Sequence, residues 1–188
     1  MDKKLYTLIV YSENIAGILN SVTAVFTRRQ LNIETLNVSA SSIEGVHRYT
    51  ITSWSDEDTI EKVTKQIRKK IDVLQADYYT DNDIFMQEVA LYKLSTPELL
   101  DNKEISKIIR HNNARLIEVN KVYAVVEKSG KTEEILHLYK ELARVGTILQ
   151  YVSSGRVAIT RAPVERLSNY LAQIETMRGD IEKKDVNE

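Results

Sequence analysis

The stretch YSENIAGILNSVTAVFTRRQLNIETL, residues 11–36, decides the fold prediction for this chain. A β-rich segment that begins at Lys4 runs into it, and a turn at residues 13–16 interrupts the apolar pattern. The next apolar residues recur at helical spacing and so share one face of a helix, namely Ile18, Leu19, Val22, Val25 and Phe26. A strand, a turn and a helix are therefore predicted, followed by a second strand over Ile33 to Ala40.

The residues after this stretch complete a βαββαβ order of elements. A further β-like run, His47 to Trp54, is close enough to the second strand to pair with it as a hairpin. Asp56 or Asp58 is placed to cap a second helix, and a last strand follows over Val73 to Tyr79. This order is that of the ferredoxin-like split βαβ fold, in which both helices cover one face of the sheet.

The same order of elements begins again after the polar break at residues 80–83. A strand is predicted over Met86 to Leu94, and Thr96 with Pro97 is predicted to begin the helix that follows. Asn120 and Lys121 are predicted to form the turn of a hairpin. A helix and two strands complete the unit, over Thr132 to Ala143, Ile148 to Ser153 and Arg156 to Thr160.

Two domains and a tail follow from this repeated order. The predicted fold class is α+β, with one ferredoxin-like βαββαβ domain over residues 1–80 and a second over residues 84–161. The tail, residues 162–188, carries a helical pattern at Val164, Leu167, Leu171 and Ile174. It then becomes strongly charged, and we expect that end to fray.

The composition is that of an ordinary soluble protein and argues against several classes. The chain has 188 residues, 43% of them hydrophobic and 28% charged, with a formal net charge of -1. The near balance of acids and bases gives no large positive field for nucleic acid or an anionic membrane. Zero cysteines exclude disulfides and thiolate metal sites. No apolar run approaches the roughly 20 residues that cross a bilayer, and no secretory cleavage site is present, so a cytoplasmic protein is expected.

Asn14, Gly17 and Asn32 form the candidate binding site of the first domain. Gly17 at the start of the predicted helix lets a ligand approach the backbone, and the free N–H groups of the first turn favour a carboxylate. Each asparagine side chain offers an acceptor and two donor hydrogens, so the group suits a small zwitterion. Spacing alone leaves a structural alternative open, in which Asn14 starts the helix and Asn32 stops it.

An ordered set of short motifs points to one family. In the first domain these are the ENIAGIL loop, an apolar helix that ends in a basic pair before NIETL, then VHRYTIT and KQIRKKIDV. In the second domain they are QEVALYKL, ARLIEVN and SSGRVAITR. With these motifs the chain resembles the small regulatory subunit of acetolactate (acetohydroxyacid) synthase, whose N-terminal domain is an ACT domain. The resemblance covers residues 4–161, and so long an ordered set of motifs is specific.

The resemblance implies a non-catalytic subunit that activates the thiamine-diphosphate-dependent catalytic (large) subunit and makes it sensitive to a branched-chain amino acid, with valine expected first. It places the chain in isoleucine, leucine and valine biosynthesis. No cofactor is expected in this chain, whereas the catalytic subunit is expected to use thiamine diphosphate, magnesium and FAD.

The resemblance also implies a homodimer or a higher oligomer. Two ACT domains then form one eight-stranded sheet, with the effector lying between them. The effector-binding residues that carry over are Asn14, Ala16, Gly17, Ile18 and Leu19, together with Asn32 of the partner chain and with Ile33 and Val38 at the apolar part of the pocket.

Other functions find less support in the residues. The histidines, His47, His111 and His137, lack the spacing of metal ligands or of a catalytic group, so no catalytic and no metal-binding residue is predicted. An acylphosphatase-type enzyme needs an arginine in the first strand-to-helix loop, and ENIAGIL has none. A DNA-binding regulator needs a helix-turn-helix or a basic ribbon, and the sequence shows no pattern for either. The alternative that stays open is a stand-alone amino-acid-sensing ACT protein that regulates a different enzyme or transcription.

Overall fold

The structure, a computed structural model, describes residues 3–146, 148–162 and Leu167. These residues group into two compact units. The first unit is formed within residues 1–34, 38–85 and 159–188, and the second within residues 35–37 and 86–158. None of the described helices is both long enough and apolar enough to cross a membrane.

The first part of the chain folds as a four-stranded antiparallel sheet with two helices. Its elements are β1 (Lys4–Glu13), α1 (Ile18–Arg28), β2 (Thr35–Ala40), β3 (Val46–Ser55), α2 (Glu57–Arg68) and β4 (Val73–Tyr79). The strand order is β2-β3-β1-β4, which leaves β2 and β4 at the two edges. This is the predicted ferredoxin-like βαββαβ arrangement, and the prediction of fold class is confirmed for this unit.

Two apolar layers hold the first sheet. On one face, Leu8 and Val10 of β1 pack with Ile51 of β3 against the buried sides of both helices. On the other face, Ile9 and Tyr11 form a second cluster that includes Val46 and Leu167. Because side chains alternate along a strand, β1 is buried on both faces and reads as a nearly continuous apolar run.

The second part of the chain repeats the order with additions. Its elements are β5 (Ile84–Ser95), α3 (Thr96–Asp101), α4 (Lys103–His111), β6 (Arg115–Val119), β7 (Tyr123–Gly130), α5 (Thr132–Val145), β8 (Ile148–Ser153) and β9 (Val157–Thr160). The strand order is β6-β7-β5-β8, and β9 also pairs with β5. The prediction of a second ferredoxin-like unit is confirmed, with α3 and α4 together at the place of its first helix.

The first helix of this second unit differs from the prediction in two details. Its N-cap is Ser95 rather than Thr96, which is the first helical residue. The predicted single helix is broken at Asn102, which has an extended backbone with φ -106° and ψ 98°. The Asn102 side chain accepts a hydrogen bond from the Glu104 N–H at 2.9 Å and so caps α4 as a separate helix.

The tail prediction falls almost entirely outside the described residues. Of the four apolar positions in its helical pattern, Val164, Leu171 and Ile174 are not among them. Leu167 is described, and it is fully buried against Ile9 and Tyr11 on the face of the first sheet that the helices leave uncovered.

Candidate functional site

The loop between β1 and α1 is held in place by backbone hydrogen bonds. The Glu13 N–H donates to the Asp72 carbonyl at 3.0 Å, and the Asn14 N–H donates to the Gly45 carbonyl at 2.9 Å. These bonds tie the loop to the segment before β4 and to the turn between β2 and β3. The loop is therefore positioned by the sheet before the helix begins.

Gly17 is the residue at which the loop becomes a helix. It is the N-cap of α1, with φ 92° in the left-handed region, where a residue with a β-carbon is strained. A β-carbon built on Gly17 would have no atom within 4 Å, so open space lies beside the backbone here. Both observations agree with the prediction that a ligand approaches the backbone at Gly17.

The first turn of α1 leaves backbone donors without acceptors. The Ile18 N–H reaches the Ile15 carbonyl at 3.4 Å, and the Ser21 N–H donates to the Gly17 carbonyl at 3.0 Å. The N–H groups of Leu19 and Asn20 have no backbone acceptor in the part of the chain that the structure covers, and no side chain caps this helix. Such donors at a helix start suit a carboxylate.

The charge at the start of α1 also differs from that at the starts of α2 and α5. Its first turn carries no acidic residue. By contrast, Asp56 caps α2 by accepting from the Thr59 N–H at 2.9 Å, and α5 carries Glu133 and Glu134 in its first turn. The positive end of the α1 dipole is thus left uncompensated within the described chain, which favours an external anion.

The two asparagines do not occupy helix-boundary positions. The N-cap of α1 is Gly17, not Asn14. At the other end, α1 stops at Arg28, and Gln30 takes the left-handed conformation with φ 54° that commonly ends a helix. Both asparagine side chains are exposed, and neither makes a hydrogen bond within residues 3–146 and 148–162. The purely structural alternative therefore loses its support.

One chain brings together only part of the predicted site. Asn14, Ala16, Gly17 and Leu19 lie together at the start of α1, and Ile18 contributes its backbone because its side chain is buried in the core. The remaining predicted residues lie after the far end of this helix.

Asn32, Ile33 and Val38 are these remaining residues. The backbone of Asn32 is held by its carbonyl, which accepts a hydrogen bond from the Ser53 hydroxyl at 2.7 Å. Ile33 packs against the core between sheet and helices, and Val38 is 39% exposed on the edge strand β2.

Three features of the site were missed from the sequence. Ile15 is 49% exposed, and the side chain of Leu19, predicted on the buried face of α1, is 42% exposed. Together they place apolar surface beside the free N–H groups. The Asn20 N–H is the third feature, and it follows from helix geometry once Gly17 is known to be the N-cap. The apolar pattern gave no signal for Leu19, since Val25 and Phe26, which are also adjacent in α1, are both buried.

The fold and the loop define an ACT domain, and comparisons with known proteins agree. A family model described as the acetohydroxyacid synthase (AHAS) small subunit-like ACT domain matches residues 8–75, and one described as the small subunit of acetolactate synthase matches residues 87–162.

Individual relatives agree with the family models. The acetolactate synthase small subunit of Bacillus subtilis is 33% identical over 169 residues, 89% of this chain and 95% of the relative. That of Mycobacterium leprae is 32% identical over 158 residues, 84% of this chain and 92% of the relative. The chain belongs to the acetolactate synthase small subunit family.

A solved structure shares the fold along most of the chain. The acetolactate synthase small subunit from Thermotoga maritima superposes with a TM-score of 0.76 at 24% sequence identity. The match covers 86% of this chain and 99% of that one. The resemblance inferred from the motifs is therefore confirmed at the level of family and fold.

Proposed function

We propose that this chain is the non-catalytic regulatory subunit of acetolactate synthase, which activates the catalytic subunit and makes it sensitive to a branched-chain amino acid. The observation that carries the sensing role is the start of α1, where Leu19 and Asn20 present free N–H groups, no acid neutralises the helix dipole and Gly17 leaves the backbone open. Membership of the acetolactate synthase small subunit family supports the catalytic subunit as the proposed partner.

The proposed effector is an amino acid, with valine first. Its carboxylate accepts hydrogen bonds from the free N–H groups at the start of α1. The Asn14 side chain lies next to this position and offers an amide oxygen to the ammonium group. The exposed side chains of Ile15 and Leu19 offer apolar surface for a branched side chain. These groups recognise both ends of a zwitterion and leave the choice among branched side chains to the pocket wall.

The second half of the proposed site comes from a second copy of the chain. The strand β2 lies at one edge of the first sheet, and Leu36 and Val38 on it are exposed apolar residues that a second copy of the chain could cover. Pairing of two such edges extends the sheet, and Asn32, Ile33 and Val38 of the second copy are the residues proposed to complete the pocket. We therefore propose that the chain is at least a dimer.

The proposed role in the reaction is indirect. Thiamine diphosphate, magnesium and FAD belong to the catalytic subunit in this proposal, and this chain acts by docking as a folded dimer. Among the described residues, no group of three or more His, Asp or Glu side chains is arranged to hold a metal ion. We expect no acetolactate synthase activity from the chain alone.

Calorimetry tests the sensing role without the partner. Purified chain is titrated with valine, leucine and isoleucine, and saturable binding of at least one is expected. The Asn14→Ala variant removes an exposed side chain of the proposed site and is expected to bind the same amino acid more weakly. Binding of none of the three would overturn the sensing role.

Two further measurements test the rest of the proposal. Light scattering at tens of micromolar is expected to show a dimer or larger species. Addition of the chain to the purified catalytic subunit is expected to raise its turnover. A monomer in the presence of the effector would contradict the shared site, and turnover by the partner-free chain would contradict the non-catalytic role.

A further inference from the structure

A cleft of the first unit lies where β1 begins and α2 starts. It has a volume of about 610 Å³. Its walls combine two tyrosines with four acids and one lysine, namely Tyr6, Tyr78, Asp56, Glu57, Asp58, Glu61 and Lys4. The effector site proposed above uses none of these residues.

The hydroxyl of Tyr6 is the unusual group in this cleft. Tyr6 is 3% exposed, yet its hydroxyl makes no hydrogen bond with any described residue. Burial raises the pKa of Tyr6, and the nearby Glu57 carboxylate raises it further, so the hydroxyl stays protonated. Tyr6 lines the open cleft, so its hydroxyl can hydrogen-bond a ligand that enters there.

Glu57 is the carboxylate of the cleft that has no partner of its own. Asp58 pairs with Lys62 at 2.8 Å, and Glu61 pairs with Lys65 at 2.8 Å, one turn further along α2 in each case. The side chain of Glu57 makes no ion pair or hydrogen bond in the part of the chain that the structure describes. It is therefore available to a cation from outside.

Tyr78 provides an aromatic wall beside this carboxylate. Its ring meets the Tyr6 ring edge to face, with 5.7 Å between centroids and an interplanar angle of 79°. Glu57 lines the cleft together with both rings, and after burial its carboxylate is the next cause that raises the pKa of Tyr78. An aromatic ring next to a free carboxylate is a suitable setting for a guanidinium group, which stacks on the ring while it donates to the carboxylate.

We propose that this cleft binds an arginine side chain presented by a protein partner, with Glu57 pairing the guanidinium, Tyr78 stacking on it and the Tyr6 hydroxyl accepting a hydrogen bond. A protein arginine fits better than free arginine, because four carboxylates line the cleft and repel an α-carboxylate. Lys4 is the single cation among the lining residues. The proposal goes beyond the regulatory function and does not depend on valine binding.

The test uses the full chain and a capped arginine, N-acetyl-L-arginine N-methylamide, titrated while the ring signals of Tyr6 and Tyr78 are followed by NMR. Both rings are expected to shift saturably. Glu57→Gln should weaken binding about tenfold, because one charge-assisted hydrogen bond is lost. Glu133→Gln, which alters an exposed acid in the first turn of α5, is the matched control and should leave binding unchanged.

A second variant separates binding from folding. Tyr6→Phe keeps the buried ring and removes the hydroxyl, so it should weaken the capped arginine severalfold without lowering the melting temperature. Equal binding by wild type and both variants would overturn the proposal, as would an absence of saturable shifts.

Two further ligands test the chemistry of the occupant. The capped citrulline analogue, which is uncharged, is expected not to bind. Free L-arginine is expected to bind more weakly than the capped form, and tighter binding of the free amino acid would contradict a docking role. All these outcomes leave valine binding unaffected, so failure here is distinguishable from failure of the proposed function.

Discussion

Asn14 and Asn32 lie at opposite ends of α1, the first in the loop before the helix and the second after its last turn. Eleven helical residues separate these ends, a length of roughly 16 Å at about 1.5 Å per residue. One amino acid is too small to bridge that length. If both asparagines contact the same effector, they must come from different chains, and the site exists only in the dimer.

The substitution Asn32→Ala tests the part that the second chain is proposed to supply. It removes hydrogen bonds to a charged ligand group, each worth roughly 1.5–3 kcal/mol, so valine affinity should fall about 10- to 150-fold. Activation of the catalytic subunit should persist, because docking requires the folded dimer and not the bound amino acid. Inhibition curves and activation of the complex, measured on the same preparation, check both expectations.

Asn82→Ala is the control for this substitution, since Asn82 is also an exposed asparagine of the first unit. It should leave valine inhibition unchanged. The binding role of Asn32 is wrong if Asn32→Ala lowers the melting temperature while the inhibition curve stays in place.

Gly17→Ala should reduce both stability and effector binding. A left-handed residue with a β-carbon costs about 1–2 kcal/mol, which lowers the melting temperature by roughly 2–8 °C for a chain of this size. The added methyl group enters the open space through which the effector is proposed to reach the helix start. Calorimetry with valine and thermal unfolding measure the two effects.

Gly45→Ala separates these effects. Gly45 also has a positive φ, 75°, and open space beside it, so its substitution carries a similar strain. The substitution keeps the Gly45 carbonyl that accepts from the Asn14 N–H and adds no group at the start of α1, so valine binding should survive at temperatures where the protein is folded. Equal losses of binding in the two variants would show that strain alone explains the effect of Gly17→Ala.

Tyr92→Phe should destabilise the second unit. The Tyr92 hydroxyl is fully buried and donates to the Ile135 carbonyl at 2.8 Å, and burial raises the pKa of this tyrosine above its ordinary value. Loss of this bond costs about 1 kcal/mol, or roughly 2–4 °C in melting temperature. Tyr139→Phe is the control, because the Tyr139 hydroxyl makes no hydrogen bond with a described residue. Equal melting temperatures for the two variants would show that the buried bond contributes nothing.

Asp56 should contribute to loss of stability in acid. Hydrogen bonds from the N–H and the hydroxyl of Thr59 hold the pKa of Asp56 below its ordinary value of 3.8. A carboxyl whose pKa is lowered by folding stabilises the native state above its unfolded pKa, and this contribution disappears as pH falls through the folded pKa. Asp56→Asn should therefore lose less stability than wild type below about pH 4. Parallel acid-unfolding curves for the two proteins would contradict this assignment.

The order of elements was predictable because the strongest signals were local. The helical face of α1, the strands on either side of it and the capping aspartate of α2 were all present in short windows of sequence, and the structure has each of them. The break at Asn102 was not predictable in the same way. The apolar spacing continues across it, and only the extended backbone of Asn102 with its capping bond to Glu104 divides the helix.

The candidate site was predictable in its residue types but not in its conformation. The sequence indicated that Gly17 lies at a helix start, whereas its positive φ and its N-cap position depend on how the loop is tied to Gly45. Exposure of Ile15 and Leu19 is likewise a tertiary property, since it depends on which neighbours cover the helix start. Whether Asn32, Ile33 and Val38 meet the start of α1 depends on how two chains pair, which local sequence patterns do not determine.

The central claim is that Asn14 of one chain and Asn32 of another hold the same amino acid, and a mixed dimer tests it most directly. Chains carrying Asn14→Ala and Asn32→Ala are given different tags, mixed and co-purified as a heterodimer. In that dimer one site has lost both asparagines and the other keeps both. We predict that each variant alone binds valine weakly, while the heterodimer binds one valine per two chains with wild-type affinity. A heterodimer that binds valine no better than its two parents would contradict the shared site.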